Sequence, residues 1–207
     1  MKLTVFGASG GIGRQLVRQA LDQGHSVTAV VRRQRDIPGA DVAVVPDFAD
    51  AERLHAAVEG SDAALAAVGP RTRKDGAVAS GVTRHILAAL LAAGVDRFVA
   101  VSAAPVGGPV PGDSWLDRHV LYPIVNRVYA ENYADLAVME REIADSGLTW
   151  TVVRPPRLTD SPRGEYRIAI GGAVPRKHFA PRADVAHLML ASLADARLRN
   201  SVVGVAR

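Results

Sequence analysis

Gly7-Ala8-Ser9-Gly10-Gly11-Ile12-Gly13 puts four glycines into seven residues of a 207-residue chain. Backbone this bare can approach an anion closely. Where it opens a helix, its unpaired N–H groups and the positive end of the helix dipole can hold a phosphate. The turn follows the apolar run Lys2-Leu3-Thr4-Val5-Phe6 and opens Arg14–Leu21, whose apolar residues recur at helical spacing. Strand, glycine-rich turn and helix in that order form the context in which such a turn seats a dinucleotide pyrophosphate.

Other positions carry chemistry that fits this reading. Arg32-Arg33 stands at the end of the next β-branched run, and no acid follows until Asp36. A carboxylate there would bond both ribose hydroxyls, whereas a guanidinium favours a 2′-phosphate, so NADPH is expected over NADH. Asp47, with Phe48 beside it, follows the third strand; it either accepts from an adenine amino group or caps the next helix. Ser102 ends the fifth strand, where a hydroxyl can bond a nicotinamide carboxamide or a substrate carbonyl, or simply cap a turn. Arg154-Pro155-Pro156-Arg157 follows the sixth strand, and its prolines form a stiff wall without N–H donors. Arg157 is the cation placed to hold an anionic acceptor. The Tyr-x-x-x-Lys relay of the standard short-chain dehydrogenases is missing, since Tyr122, Tyr129 and Tyr133 meet Asn126, Tyr133 and Ala137 at that spacing. His178 and His187 are the closest histidine pair, with no carboxylate cluster at ligand spacing, and no metal site is expected.

The elements that must position these residues alternate almost from end to end, which predicts an α/β fold: a doubly wound, Rossmann-like parallel sheet with helices on both faces. Strands are expected over 2–6, 26–31, 41–45, 62–68, 96–101, 149–153, 166–170 and 201–205. Helices are expected over 14–21, 51–59, 77–93 and 182–193, and a helical region with Pro123 near its start runs to about Asp145. Pro105 to Gly112 reads as a loop, with three prolines and three glycines. No linker or repeat interrupts the chain. A single domain over 1–207 is expected, its less regular part from about 103 supplying the substrate side.

Composition narrows the rest. No cysteine is present, so disulfides and thiolate chemistry are excluded. The net charge of +4 comes from scattered arginines with few aromatics, which is not the footprint of a nucleic-acid surface. No apolar run is long enough to span a bilayer, and a soluble cytoplasmic protein, monomer or homodimer, is the expectation.

These residues resemble the atypical short-chain dehydrogenase/reductases. The likeness is carried by the glycine turn, Val30-Val31-Arg32, Asp62-Ala63, Gly94-Val95-Asp96-Arg97-Phe98-Val99 and the stretch from Ser146 to Pro155. Within that group the chain is most similar to NAD(P)H-binding proteins related to biliverdin reductase B, a flavin reductase; Gly164-Glu165-Tyr166 and Arg182-Ala183-Asp184-Val185-Ala186 extend the likeness. The resemblance implies that Gly7, Ser9, Gly10, Gly11 and Ile12 hold the pyrophosphate, Arg32 and Arg33 the 2′-phosphate, and Asp47 with Phe48 the adenine. It places Ala67, Val68 and Gly69 against the ribose, and Ser102, Pro155 and Pro156 around the nicotinamide. Two departures stand out: Ala103 replaces a hydroxyl residue and Arg157 replaces a histidine after the prolines. Both weigh against biliverdin chemistry and leave hydride transfer to a small flavin- or quinone-like acceptor. Without the relay, a non-catalytic NADP(H) sensor is the alternative, and nucleotide-sugar epimerisation a remote third.

Overall fold

The computed structural model describes residues 1–69, 78–116, 119–120 and 122–207; the expected helix start at Ala77 lies outside them. Strand β1 (Lys2–Phe6) leads through the glycine turn into α1 (Gly11–Asp22), then β2 (Ser26–Val31), β3 (Asp41–Val44), α2 (Ala51–Val58) and β4 (Ala63–Ala66). Helix α3 (Ala79–Ala92), β5 (Arg97–Val101), α4 (Tyr122–Val128), α5 (Ala130–Ala144) and β6 (Thr149–Arg154) follow. The chain closes with β7 (Arg157–Thr159), β8 (Arg167–Ile170), β9 (Phe179–Pro181), α6 (Arg182–Ala191) and β10 (Ser201–Ala206).

Eight strands form one sheet in the order β3-β2-β1-β4-β5-β6-β10-β8. The strands read as short β-branched or apolar runs because both faces are covered. Alternation then divides them: Leu3, Val5, Val27, Ala29, Ala63, Leu65, Val99 and Val153 pack under α1 and α6. Phe6, Val30, Ala64, Ala66, Phe98, Ala100 and Val152 face α2, α3 and α5. Pairing is parallel from β3 through β10, and only β8 runs antiparallel. After β6 and β7 the chain is already at the carboxyl edge with no crossover helix to carry it back, so β8 must descend against β10.

Beyond the antiparallel β8, three further features differ from the sequence expectation. The helical region before Asp145 is two helices, broken at Tyr129, whose φ of −120° leaves the helical range. The segment after the prolines does not stay a turn: β7 pairs with β9 in a separate two-stranded ribbon, Arg157 opposite Phe179. And α2 is capped by Asp50, whose carboxylate accepts from Arg53 N at 3.0 Å, so the capping role considered for Asp47 falls to its neighbour.

Two buried charged groups hold the helical layers and the sheet's amino edge. Arg97, at the start of β5, donates to Phe98 O, Thr149 O, Thr151 Oγ1 and Ser192 O. Burial above all, then the Arg199 guanidinium, lowers its pKa to about 10 against the opposing pull of Asp96, so it remains charged at neutral pH. On the helical side, α3 lacks a cap of its own. Asp135 of α5 supplies one, accepting from Ala79 N at 2.7 Å, Ser80 N at 3.1 Å and Ser80 Oγ at 2.5 Å. Replacing Asp135 by Ala strands these buried donors. Urea unfolding is expected to show a loss of about 2 kcal/mol.

Candidate dinucleotide site

Parallel register aligns the carboxyl ends of five strands. Phe6 lies opposite both Val30 and Ala66, Ala66 opposite Ala100, and Val101 opposite Val153. The segments after β1, β2, β4, β5 and β6 therefore share one edge. The crevice between β1 and β4, where chain direction reverses across the sheet, is the place an open α/β sheet offers a ligand.

The glycine turn is shaped by contacts that admit no side chain. Gly7 holds φ +73°, and a Cβ on it would fall 2.5 Å from Ala67 O, so the turn rests directly on the segment after β4. A Cβ on Gly13 would overlap the Gly7 carbonyl. Gly10 N donates to Gly7 O at 2.9 Å, and Gly10 in turn accepts from Arg14 N at 2.9 Å. Helix α1 has neither a side-chain cap nor an acid in its first turn, so the positive field at its start is not neutralised locally. The side chains of Ala8 and Ile12 are buried in the apolar layer under α1.

Arg32 and Arg33 are exposed just past β2. Residues 32–40 carry no helix, and beside them lies a cleft of about 530 Å³ that reaches Ala8 and Ser9 and is lined by Arg14, Arg18 and Arg35. Arg14 Nη1 donates to Ser9 O at 2.9 Å, which ties it to the turn. The sequence reading did not single out Arg14 or Arg35; Arg14 follows Gly13 directly and reaches the turn locally, whereas Arg35 comes near it only through the fold. Asp47 is exposed and accepts from Ala49 N at 2.9 Å. Phe48 is half-buried, its ring centroid 6.2 Å from that of Phe6. Ala67 N donates to Phe6 O at 3.0 Å, and Val68 and Gly69 continue along the same edge.

Across the crevice, Ser102 N donates to Val153 O at 2.8 Å and Ala104 N to Pro155 O at 2.9 Å, joining the ends of β5 and β6. The Ser102 hydroxyl is buried and has no hydrogen-bond partner among the described residues. Arg154 and Glu140 form a nearly buried bidentate ion pair, Nε to Oε1 at 2.9 Å and Nη2 to Oε2. The same guanidinium lies against Gly107 in the short helical turn after Ser102, so any side chain there would displace it. Beyond Pro156, exposed Arg157 lies 5.9 Å over the ring of Phe179, itself half exposed. Tyr129 and Tyr133 stack at 5.8 Å, and burial, then Tyr129, pushes the Tyr133 hydroxyl above its ordinary pKa. A lysine relay would shift it the other way. Tyr166 OH meets His187 Nδ1 at 2.7 Å; burial raises the tyrosine and lowers the histidine, so both stay neutral near pH 7.

These residues fit a dinucleotide. A glycine cradle sits on an uncapped helix start, arginines flank it, and a buried hydroxyl lacks a partner among the described residues. Among the described residues, no group of three or more His, Asp or Glu could hold a metal, and no helix is long and apolar enough to cross a membrane. Fold and site together define a Rossmann-type nucleotide-binding protein of the atypical short-chain dehydrogenase/reductase class. The chain belongs to the NAD(P)H-binding family, whose profile matches residues 7–196. It is 30% identical to the uncharacterized sugar epimerase YhfK of Bacillus subtilis (strain 168), over 97% of this chain and 91% of that one. It is 31% identical to the 3-diazoavenalumate denitrifying reductase of a Streptomyces species over 74% of this chain, which spans 55% of that enzyme's length. Among solved structures it resembles SP1627 of Streptococcus pneumoniae TIGR4, whose name proposes an NADH-flavin reductase. The TM-score is 0.81 at 22% identity, covering 100% of this chain and 99% of that one.

The Arg154–Glu140 pair gives a direct test of what stiffens this edge. Glu140→Ala leaves a guanidinium buried without its partner and is expected to cost about 3–5 kcal/mol in urea unfolding. Glu140→Leu combined with Arg154→Met should lose much less, because no charge is then stranded.

Proposed function

We propose that this protein is an NADPH-dependent reductase that delivers hydride to a planar acceptor, a flavin or quinone, without a tyrosine–lysine relay. The observation that carries the reading is the pairing of an arginine-flanked glycine cradle with tyrosines that burial makes weaker acids. Bound NADPH would supply the hydride. The chain's part is then to bind and orient. Gly7, Ser9, Gly10, Gly11 and Ile12 offer backbone to the pyrophosphate, and Arg32 and Arg33 the charge for a 2′-phosphate; Arg14 and Arg35 line the cleft beside the turn together with Asp22 and Asp36. Ser102 has a hydroxyl to give to the carboxamide. Pro155 and Pro156 wall the nicotinamide side and keep water from it, and most of the rate enhancement would come from this positioning. Arg157, stacked on Phe179, presents a cation and an aromatic face together, a combination suited to an anionic planar acceptor.

A second reading has its own support. Trp115, Leu116 and Ile124 are exposed apolar side chains, Trp115 at 71%, on the substrate half of the chain. They suit a sensor that binds NADP(H) and reports to a partner. The sugar epimerase named among the relatives is a weaker guide, because the tyrosine–lysine pair such chemistry uses is missing here.

NADPH oxidation over FMN, riboflavin and quinones separates the two: steady turnover supports the reductase, and tight binding without turnover supports the sensor. Arg32→Asp with Arg33→Ala should weaken NADPH about tenfold to hundredfold while sparing NADH; equal losses would move the 2′-phosphate elsewhere. Phe at Tyr122, Tyr129 or Tyr133 should each leave turnover within about tenfold of wild type, short of the 10²–10⁴ that loss of a general acid costs. Ser102→Ala should lower it further without abolishing it, and Arg157→Ala should raise KM for FMN more than for riboflavin.

A further inference from the structure

Arg182 is the first residue of α6, and its side chain lies across the first residue of α1. A Cβ on Gly11 would fall 2.6 Å from both Cδ and Nε of Arg182. The approach is built in, because the start of α6 is held against the length of α1. Gln19 of α1, buried, donates from Nε2 to Ala183 O at 2.9 Å. Asp184, fully buried, accepts from Gly164 N at 3.0 Å and pairs with Arg207 at 2.7 Å. The backbone of Arg182 is thereby fixed, and its guanidinium stays within reach of the glycine turn.

The partner of that guanidinium is Asp160, Nη1 to Oδ1 at 2.7 Å. The aspartate is 88% exposed and the arginine 28%. An ion pair so open to water contributes little stability, which leaves the guanidinium ready to exchange it for a better-placed anion. Helix α1 meanwhile brings backbone N–H groups to the same spot with no acid in its first turn. Family membership independently requires this chain to accommodate a dinucleotide.

We propose that Arg182 is a diphosphate-binding residue. It closes over the two phosphates that the glycine turn seats from below, and Asp160 competes with them for its guanidinium. The inference rests on the reading that the turn holds the pyrophosphate, and it adds a cation from the far end of the sequence. Arg182 recognises the part that NADPH and NADH share, in contrast to Arg32 and Arg33. The backbone amides and the guanidinium approach the diphosphate from different elements, so each can fail without the other.

The test is titration of NADPH, NADH and adenosine 2′-monophosphate against wild type, Arg182→Met, Arg182→Lys and Asp160→Asn, with thermal melting as the check on folding. Arg182→Met should weaken both dinucleotides equally, by about tenfold to hundredfold, and leave the monophosphate, which lacks a diphosphate, unchanged. Arg182→Lys should keep part of the affinity through its charge. Asp160→Asn should tighten both dinucleotides several-fold, which a purely structural ion pair would not do. Dinucleotide affinity in Arg182→Met within about twofold of wild type, or Asp160→Asn weakening in step with it, would overturn the role of Arg182. Failure of wild type to bind either dinucleotide would instead overturn the reading of the glycine turn on which the proposal stands.

Discussion

Much of this molecule depends on the close approach of the Gly13 backbone to the carbonyl of Gly7, which leaves no room for a Cβ. No side chain fits there, and because none is present α1 can begin one short turn after β1 ends. That proximity makes the helix start part of the sheet's carboxyl edge. It also brings α1 flat against the sheet, where Leu16, Val17 and Ala20 join the apolar layer shared with α6. A bulkier residue would lever the helix away, separating the glycine turn from the segment after β4 and α1 from its partner helix at once. Packing and ligand geometry at this end of the molecule thus rest on a single close approach of backbone to backbone.

Much of the sheet was legible because burial on both faces leaves a plain signature. Lys2–Phe6 and Ser26–Val31 appear as read, and the other shared strands differ only by a few residues at their ends. Burial does not reveal partners distant in sequence. The β7–β9 ribbon joins segments of three residues each, separated in sequence by β8 of the main sheet, and one contains proline; nothing local marks either as a strand. Asp135 caps a helix 55 residues upstream, and its neighbours in sequence give no sign of this. The break at Tyr129 was equally hidden, since no glycine or proline stands near it to mark a stop.

The site divides the same way. Glycines announce themselves because few other structural needs demand so many together. Arg32, Arg33, Ser102 and the two prolines were visible because strand ends in a parallel sheet converge on one edge. Arg35 and Arg182 were not, since both lie far from the glycine turn in sequence and this chain carries many arginines. The two ends of the sheet are also unlike each other. At the amino edge, buried Arg97 satisfies several carbonyls at once and binds β5, β6 and the residues after α6 into a closed polar seam. At the carboxyl edge the buried Ser102 hydroxyl is left without such a partner among the described residues.

Residues 32–36, which connect β2 to the outer strand, are all exposed. None of them belongs to either apolar layer. Where many nucleotide-binding sheets place a helix, this chain has a loose connection. If this connection faces the ribose as proposed, a substitution there would alter the electrostatic face offered to it without disturbing a packed side chain. Choice of coenzyme could then drift by single changes while the packed scaffold is left intact.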